Sequence, residues 1–332
     1  MKRSVLVVMI MLSFTLSKAQ DVHFSHFFSM PIFQNPAFTG YMDGDVRVAA
    51  DFRMQWETFG NGFGNAFRTA AVSADFGLLR NQMGGSTLGV GATFINDAAG
   101  DLALKTNQAG LAVSYVIALD QNKSNYLGVG FHGSFSQRSI DFTNAQFPDQ
   151  VETDLLENYN YFNLAAGLLW FYQPTDDVNF YLGGALFNIF QPNVSFFAGE
   201  NIELDRRYTA QFGSRFNVSN RVSFVPSILF QKQGPSQELI FGTFFKYKFG
   251  NQFKTSEAIN FQLGAFYRFA DAIIPVVRLD YKPVSFVFSY DVNLSKLTAA
   301  SKGEGGAEIS ITYTGRIFPE SNKYKSIKCP IL

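Results

Sequence analysis

The sequence is poor in charge and nearly free of cysteine and histidine. Charged residues make up 16% of the 332 residues, against about 25% in an ordinary soluble domain. Cys329 is the only cysteine, so no disulfide can form within the chain. His23, His26 and His132 are the only imidazoles, and histidine is the commonest side chain for general acid–base work. The composition therefore offers little material for histidine-based catalysis.

The sequence also lacks a long apolar run. No segment reaches the roughly 18 uninterrupted apolar residues of a membrane-spanning helix. The run Val5–Phe14 follows Lys2 and Arg3 and precedes small residues, which is the pattern of a secretory signal peptide. Residues 1–19 are therefore predicted to direct Sec-type export and to be cleaved. The next residue is Gln20, not a cysteine, which gives no sign of a lipoprotein anchor.

Cleavage at that point changes the charge balance. It removes three basic residues and leaves 24 basic against 27 acidic residues. A protein that binds nucleic acid needs a basic surface to neutralise phosphates. No nucleic-acid partner is expected.

Aromatic residues, by contrast, are abundant, and they alternate with polar ones. Aromatics are 16% of the chain, and 38 residues are phenylalanine. In the stretch Val46–Trp56, Arg47, Asp51 and Arg53 share one parity and apolar residues take the other. Successive side chains of a β-strand point to opposite faces. The apolar face would meet the core of a soluble sandwich, or lipid around an outer-membrane barrel.

This two-residue period recurs to the C-terminus and predicts about fourteen strands. They are Asp45–Trp56, Arg68–Leu78, Thr87–Asn96, Leu104–Leu119, Tyr126–Arg138, Tyr159–Tyr172, Asn179–Phe190, Arg207–Val218, Val222–Gln231, Glu238–Phe249, Ala258–Ala270, Ile274–Tyr281, Val284–Asn293 and Ala307–Phe318. A secreted sandwich with so many phenylalanines and so few charges would expose large apolar patches. The sequence therefore predicts an all-β, transmembrane outer-membrane β-barrel of about fourteen antiparallel strands over residues 44–318.

Loop lengths agree with a barrel. If both termini of the chain are periplasmic, the odd-numbered connections face outward. Long odd-numbered connections are Glu57–Phe67, Ser139–Asn158, Gln191–Arg206 and Leu294–Gly306, and short even-numbered ones are Gln121–Asn125, Gln173–Val178, Ser219–Arg221 and Lys282–Pro283. Short periplasmic turns and long outer loops are typical of outer-membrane barrels.

The segment before the first strand does not alternate. Residues 20–43 form an N-terminal arm that is rich in phenylalanine and interrupted by Pro31 and Pro36. In many strands the residues on the second face are small, mainly Gly, Ser, Thr and Ala. Small side chains there suit a lumen that is partly filled. The arm is expected either to plug the lumen or to dock on its periplasmic mouth.

No residue pattern indicates an enzyme. His132 lies on the same, inward face as Ser134 and Ser136, and serines beside a histidine on such a face are ordinary lumen residues. His23 and His26 have no further metal ligands near them in the sequence. No catalytic residue, cofactor site or metal site is predicted.

Several motifs together resemble the PorP/SprF family. The first runs from Gln20 to Phe28 and continues with Asn35-Pro36-Ala-Phe-Thr-Gly40, and Arg53-Met-Gln55-Trp56 follows on the first strand. The others near the C-terminus contain Tyr267, Arg268, Asp271, Ser289, Tyr290, Asp291, Ser295, Glu308, Cys329 and Pro330. The ending Cys329-Pro330-Ile-Leu departs from the family's commoner aromatic finish.

The resemblance implies an outer-membrane component of the type IX secretion system of the Bacteroidetes. Members are similar to fourteen-stranded barrels that support secretion or surface anchoring of a large adhesin and, in some cases, gliding. The implied partners are outer-membrane lipid, the adhesin or another type IX substrate, and other type IX components, among them a periplasmic peptidoglycan-associated protein.

Two further expectations concern surfaces. The loops Ser139–Asn158 and Gln191–Arg206 would meet the adhesin, and the tail 319–332, with Lys323, Lys325 and Lys328, would meet an acidic periplasmic partner or remain solvated. The alternative function is a FadL-like channel for small hydrophobic molecules, which would need a ligand pocket lined by phenylalanines of the arm. A lone thiol at Cys329 is either an inert tail residue or a reactive one.

Overall fold

The chain forms a closed antiparallel barrel. The computed structural model describes residues 21–55, 67–79, 85–99, 104–140, 158–197, 199–249, 259–294 and 304–317. Its strands are β1 (Val46–Gln55), β2 (Phe67–Leu78), β3 (Thr87–Ala99), β4 (Leu104–Ala118), β5 (Asn125–Ser139), β6 (Asn158–Tyr172), β7 (Val178–Phe187), β8 (Arg207–Asn217), β9 (Val222–Gln233), β10 (Ser236–Phe249), β11 (Ile259–Arg268), β12 (Ala272–Tyr281), β13 (Val284–Asn293) and β14 (Glu304–Gly315). Each strand pairs with its sequence neighbours, and β1 pairs with β14 to close the ring. The predicted fourteen-stranded barrel is confirmed.

The two faces of β1 follow the predicted parity. Arg47, Asp51 and Arg53 point inward and are at most 3% exposed, whereas Val48 and Phe52 are over 40% exposed. Closure satisfies the backbone hydrogen bonds of both edge strands, which lipid could not do. The exposed apolar side chains therefore form the lipid-facing surface.

The lipid-facing surface carries aromatic rings towards its two ends. Trp170, Tyr172 and Phe180 pack together near the β6–β7 turn, and Phe241 and Tyr267 are in contact towards the opposite end. Aromatic girdles at both interfaces are usual in outer-membrane barrels, because these rings favour the headgroup region. None of the helices among the described residues is long and apolar enough to cross a membrane.

An arginine on the lipid-facing surface should destabilise the barrel according to its depth. Leu111 lies in the middle of β4 and is 72% exposed, so Leu111→Arg should lower the free energy of unfolding by about 2–4 kcal/mol. Leu119→Arg, in the connection after β4, should cost about 0–1 kcal/mol. Urea unfolding in lipid vesicles, followed by tryptophan fluorescence, measures both. Equal losses at the two positions would contradict a lipid-facing assignment for Leu111.

Strand boundaries and loop lengths depart in places from the sequence prediction. β7 ends at Phe187 rather than Phe190, and β14 covers Glu304–Gly315 rather than Ala307–Phe318. The odd-numbered β9–β10 connection is only 234–235, while the even-numbered β10–β11 connection covers 250–258. The alternation of loop lengths therefore fails at these two connections. It also fails at the odd-numbered β3–β4 (100–103) and β11–β12 (269–271) connections, which are shorter than the even-numbered β2–β3 connection (79–86). A tight turn needs only a residue with positive φ, which Gly234 supplies at 53°, so loop length is a weak guide to topology.

Several sequence predictions fall outside the described residues. These are the signal peptide 1–19, the tail 319–332, most of the loop Ser139–Asn158 and most of the loop Glu57–Phe67. The loop Gln191–Arg206 is described apart from residue 198, and its two ends are joined by a bridge between Asn193 and Glu203.

Candidate functional site

The N-terminal arm lies inside the ring of strands. Every residue from Phe24 to Met42 is buried, and the arm bonds to inward-facing groups on both sides of the barrel. Its start lies at what we call the far mouth, where Asn188 and Arg207 contact Asp21. Its end, at Gly40, lies near the mouth where β1 begins and β14 ends, which we call the near mouth. The arm therefore extends along the lumen from one mouth towards the other.

Three apolar clusters anchor the arm along this path. Phe27 and Phe28 pack on β9–β13 side chains, Phe24, Met30 and Phe33 pack on β1–β3 side chains, and Phe38 and Tyr41 pack on β4–β7 side chains. Phe28 meets Phe244 edge-on with ring centroids 4.9 Å apart. Burial of each large apolar side chain stabilises by about 1.5–3 kcal/mol, so the phenylalanines of the arm supply most of its attachment.

Two proline-led 3₁₀ turns shape the middle of the arm. Pro31–Phe33 and Pro36–Phe38 each begin with proline, whose fixed φ suits the first residue of a helical turn. Asn35 caps the second turn, since its Oδ1 accepts a hydrogen bond from Ala37 N at 2.9 Å. Asn35 Nδ2 also donates to the carbonyl oxygen of Leu168 on β6 at 2.8 Å. One side chain thus both shapes the turn and fastens it to the barrel wall.

Removal of this amide should loosen the middle of the arm. Asn35→Ala deletes a cap worth about 0.5–2 kcal/mol and at least one hydrogen bond worth about 0.5–1.5 kcal/mol. We expect the free energy of unfolding to fall by about 1–3 kcal/mol. Asn122→Ala, in the exposed β4–β5 connection, is the matched control and should change it by less than about 0.5 kcal/mol. Denaturant unfolding of both variants provides the comparison, and a loss at Asn122 as large as that at Asn35 would show that the cap contributes nothing.

Glycines on the inner wall make room for this turn. A Cβ atom at Gly89 on β3 would collide with the carbonyl of Thr39, one at Gly130 on β5 with Pro36 and Ala37, and one at Gly167 on β6 with Asn35. Glycine in a strand interior costs stability and often marks close approach of another backbone. The inner wall is therefore complementary in shape to the arm. The small residues on the inward face of these strands leave the space that the backbone of the arm occupies.

A buried charge cluster joins the start of the arm to four strands. Asp291 on β13 accepts hydrogen bonds from Arg53 Nη2 and Arg268 Nη2, both at 3.0 Å. Ser25 Oγ of the arm donates to the same carboxylate at 2.9 Å. Arg268 also pairs through Nε with Glu238 at 2.7 Å and through Nη1 with Asp271 at 3.2 Å. Buried charges are tolerated when they are paired and hydrogen-bonded in this way.

Glu308 holds the backbone of the arm beside this cluster. Its Oε2 accepts from Ser25 N at 2.8 Å and its Oε1 from His26 N at 2.6 Å. Arg53 Nη1 lies 3.5 Å from Glu308 Oε2 and donates to the carbonyl of His23 at 3.1 Å. A charge-assisted hydrogen bond to a backbone amide is about twice as strong as a neutral one. Arg53 of β1 and Glu308 of β14 therefore bind the backbone of the arm where these two strands pair to close the barrel.

A second buried ion pair fixes the end of the arm. Arg47 donates through Nε and Nη2 to the two oxygens of Asp75, at 2.9 and 2.7 Å. Asp75 also accepts from Gly40 N at 2.7 Å, and Arg47 Nη2 donates to the carbonyl of Phe38 at 3.2 Å. Gly40 has a φ of +68°, which favours glycine. Arg47 was assigned to the lumen from its parity, but its pairing with Asp75 depends on the β1–β2 register.

The structure brings many of the motif positions together. Arg53, Arg268, Asp271, Asp291 and Glu308 meet at the start of the arm, and Asn35, Pro36 and Gly40 contact the opposite wall and the near mouth. Ser289 is buried inward on β13 and pairs in register with Glu308 of β14, whereas Tyr290 is 36% exposed on the outer face. Tyr267 contacts Phe241 on the lipid-facing surface, and Gln55 is the last residue of β1. Trp56, Ser295, Cys329 and Pro330 lie outside the described residues.

Some members of the cluster have little signal in the sequence. Asp51 is marked only by its parity, Glu238 by nothing, and Ser25 only by its place in the Gln20–Phe28 motif. His132 Nε2 lies 2.9 Å from Thr93 Oγ1, away from the cluster. His26 lies within it, and its Nδ1 is 3.2 Å from Ser310 Oγ and 3.6 Å from Asp51 Oδ2.

The cavities around the arm are small. One of about 210 Å³ lies at the far mouth, lined by Asp21, Arg207, Glu238, Arg268 and Asp271 among others. The cavity that touches Phe28 and Phe244 has about 20 Å³. A cavity that binds benzene has about 150 Å³. The phenylalanines of the arm therefore leave no comparable apolar space beside Phe28.

A family model for "Type IX secretion system membrane protein PorP/SprF" matches residues 16–313. No curated protein matches the chain. Solved structures with a similar fold include the toluene transporter TbuX of Ralstonia pickettii, at 12% identity and a TM-score of 0.47 over 86% of this chain and 94% of that one. A FadL homologue from Pseudomonas aeruginosa is 10% identical, with a TM-score of 0.47 over 86% of this chain and 94% of the other. Likeness at this level concerns the barrel fold alone.

Proposed function

The chain belongs to the PorP/SprF family of type IX secretion system membrane proteins, and on this premise we propose that it is a non-enzymatic outer-membrane barrel that supports secretion or surface anchoring of a large adhesin. A contribution to gliding belongs to the same proposal. Sec-type export and cleavage after residue 19 would deliver it to the outer membrane of a member of the Bacteroidetes.

The position of the arm carries this proposal. Residues 24–42 are buried along the lumen and are held by apolar packing, by capped turns and by two sets of buried ion pairs. We propose that the arm acts as a plug, which leaves the mouths and loops as the surfaces for partners. The loops Ser139–Asn158 and Gln191–Arg206 would meet the adhesin or another type IX substrate. The tail 319–332 would meet periplasmic components, among them a peptidoglycan-associated protein.

The arrangement around His26 supports a non-catalytic role. Ser310 Oγ and the carboxylates of Asp51 and Glu308 all approach the same ring nitrogen, Nδ1. A serine–histidine–acid relay needs the serine on one ring nitrogen and the acid on the other. The four side chains are also at most 3% exposed, so a substrate has no open access to them.

The rival function, a channel for small hydrophobic molecules, requires an apolar pocket beside the arm. Two cavities touch phenylalanines of the arm, one of about 20 Å³ at Phe28 and one of about 80 Å³ at Phe33, and both are far below the roughly 300 Å³ at which ligand pockets begin. This observation favours the secretion role over the channel.

Deletion of the gene tests the proposal directly. Surface display of each type IX substrate should be measured in the deletion strain and in a strain complemented with the wild-type gene. Crosslinking in intact cells, followed by mass spectrometry, should identify the proteins that contact the barrel. We expect loss of display of at least one large adhesin, restoration by the wild-type gene, and crosslinks between the barrel and that adhesin. Normal display of every type IX substrate would overturn the proposal, and co-purification of a lipid-like ligand without a protein partner would support the channel.

A further inference from the structure

Three side chains of the types that bind metal ions meet where the arm crosses the barrel seam. His26 comes from the arm, Asp51 from β1 and Glu308 from β14, and each is at most 3% exposed. His26 Nδ1 lies 3.6 Å from Asp51 Oδ2 and 3.4 Å from Glu308 Oε1. One ligand atom from each residue lies within 4.8 Å of the other two. His26 is separated from its partners by long stretches of sequence, so the spacing of residues could not have indicated this cluster.

These distances fit ligands of a shared ion better than partners in a hydrogen bond. A charge-assisted N–H···O bond is about 2.7–2.9 Å long, so both separations are too long for one. Ligands held about 2.0–2.1 Å from a tetrahedral metal ion lie roughly 3.3 Å apart. The observed 3.4 and 3.6 Å are close to that spacing.

The carboxylate of Asp51 supplies a second and independent observation. Neither Oδ1 nor Oδ2 has a hydrogen-bond partner among the described residues, although the side chain is buried. An ionised carboxylate in such a place is costly unless a cation or hydrogen bonds compensate it. Its oxygens lie beside His26 Nδ1, so a cation there would bind a buried carboxylate that accepts no hydrogen bond among the described residues.

The surrounding charges point the same way. Four carboxylates, those of Asp291, Glu308, Glu238 and Asp271, pair with the two guanidinium groups of Arg53 and Arg268, and Asp51 adds a fifth carboxylate beside His26. The carboxylates therefore outnumber the guanidinium groups, and a bound cation would offset part of this excess. An excess of buried negative charge strongly disfavours the folded state unless it is neutralised.

We propose that His26, Asp51 and Glu308 bind a divalent transition-metal ion of the zinc class. One imidazole nitrogen and two carboxylate oxygens form a donor set that suits such ions, and imidazole is a poor ligand for Mg²⁺ or Ca²⁺. The hydroxyl of Ser310, 3.2 Å from His26 Nδ1, lies where a further ligand or a bound water would complete the coordination.

The ion would join three parts of the chain at once. Asp51 pairs with Ser310, and Arg53 with Glu308, in the register that closes the barrel. A metal bound to β1, β14 and the arm would therefore fasten the arm to the seam. Metal binding to the folded state alone also raises stability in proportion to the logarithm of the metal concentration.

Metal content and zinc affinity of the full-length purified protein test this proposal. Protein in mild detergent should be assayed for metals by mass spectrometry, stripped with a chelator, and titrated with Zn²⁺ or Mg²⁺ against a chromophoric chelator. We expect one tightly bound Zn²⁺ per chain, weak binding of Mg²⁺, and at least tenfold weaker Zn²⁺ binding in Asp51→Asn and in His26→Gln. His132→Ala is the matched control, because it removes a buried histidine outside the cluster, and it should bind Zn²⁺ as the wild type does.

A structural effect must be separated from loss of a ligand. Heat-modifiable migration on gels shows which variants retain a folded barrel, and Asp51→Asn keeps the shape of the side chain. Zn²⁺ should also slow cleavage of the arm by chymotrypsin in the wild type and not in folded Asp51→Asn. Wild-type protein that binds no Zn²⁺ stoichiometrically would overturn the proposal, whatever the variants do. Equal affinity in the wild type and a folded Asp51→Asn or His26→Gln would overturn it as well.

Discussion

Asp291→Ala should lower the free energy of unfolding by about 3–5 kcal/mol, because it leaves two buried guanidinium groups without their shared partner. Arg53 and Arg268 each donate to this carboxylate at 3.0 Å, and Ser25 donates at 2.9 Å. Both arginines are at most 6% exposed, so water does not solvate their guanidinium groups in place of the carboxylate. Denaturant unfolding of the barrel in detergent measures the loss.

The exposed ion pair between Asp43 and Arg316 provides the control. It has a similar length, 3.2 Å, but both side chains are 43% exposed. Surface pairs contribute about 0–1 kcal/mol, because water solvates both charges when the pair is broken. Asp43→Ala should therefore change the stability little. If both substitutions cost the same, the cluster at Asp291 does not hold the arm in the manner that its geometry indicates.

Gly130→Val should displace the arm from the lumen. The added Cβ would collide with the backbone of Pro36 and Ala37, and backbone cannot rotate away as the end of a side chain can. Overpacking of this kind costs about 1–3 kcal/mol, which corresponds to roughly 5- to 150-fold more of the open form. Limited digestion with chymotrypsin should cleave the phenylalanine-rich arm faster by a similar factor. In planar bilayers, the variant should open ion-conducting pores more often than the wild type.

Gly133→Val is the matched control on the same strand. Gly133 points outward, and a Cβ there would have no atom within 4 Å. The valine is equally β-branched, so any effect of strand propensity is shared by the two variants. Equal protease resistance and equal conductance in the two variants would exclude the proposed plug, since the arm would then not depend on the space at Gly130.

The alternating strands could be predicted because their signal is local. Each face of β1 is decided by parity, so Arg47, Asp51 and Arg53 could be assigned to the lumen before any partner was known. The residues at which strands begin and end are harder to predict: β14 covers Glu304–Gly315, whereas the sequence pattern predicts Ala307–Phe318. An end depends on where pairing with a neighbour stops, and on turns such as the one at Gly234.

The contacts of the motif residues could not be predicted, because closure of the barrel creates them. The resemblance singled out Arg53 and Glu308 separately, yet they are a register pair only because β1 meets β14. Arg268 and Asp291 reach the same place through the β11–β13 strands. No motif marks Asp51, and the Gln20–Phe28 motif does not say what Ser25 contacts; only their position beside these residues gives them a role.

The sequence by itself determined that the chain forms about fourteen alternating strands. It also determined which side chains of each strand face lipid and which face the lumen, and which family the motifs resemble. These properties depend on the period of a strand and on residue types, which are local. The sequence left the arm either in the lumen or at a mouth, because phenylalanine and proline suit both. Only the tertiary structure placed it among the strands, since that depends on wall glycines, on the reach of Asn35, and on carboxylates and arginines that meet only when the ring closes.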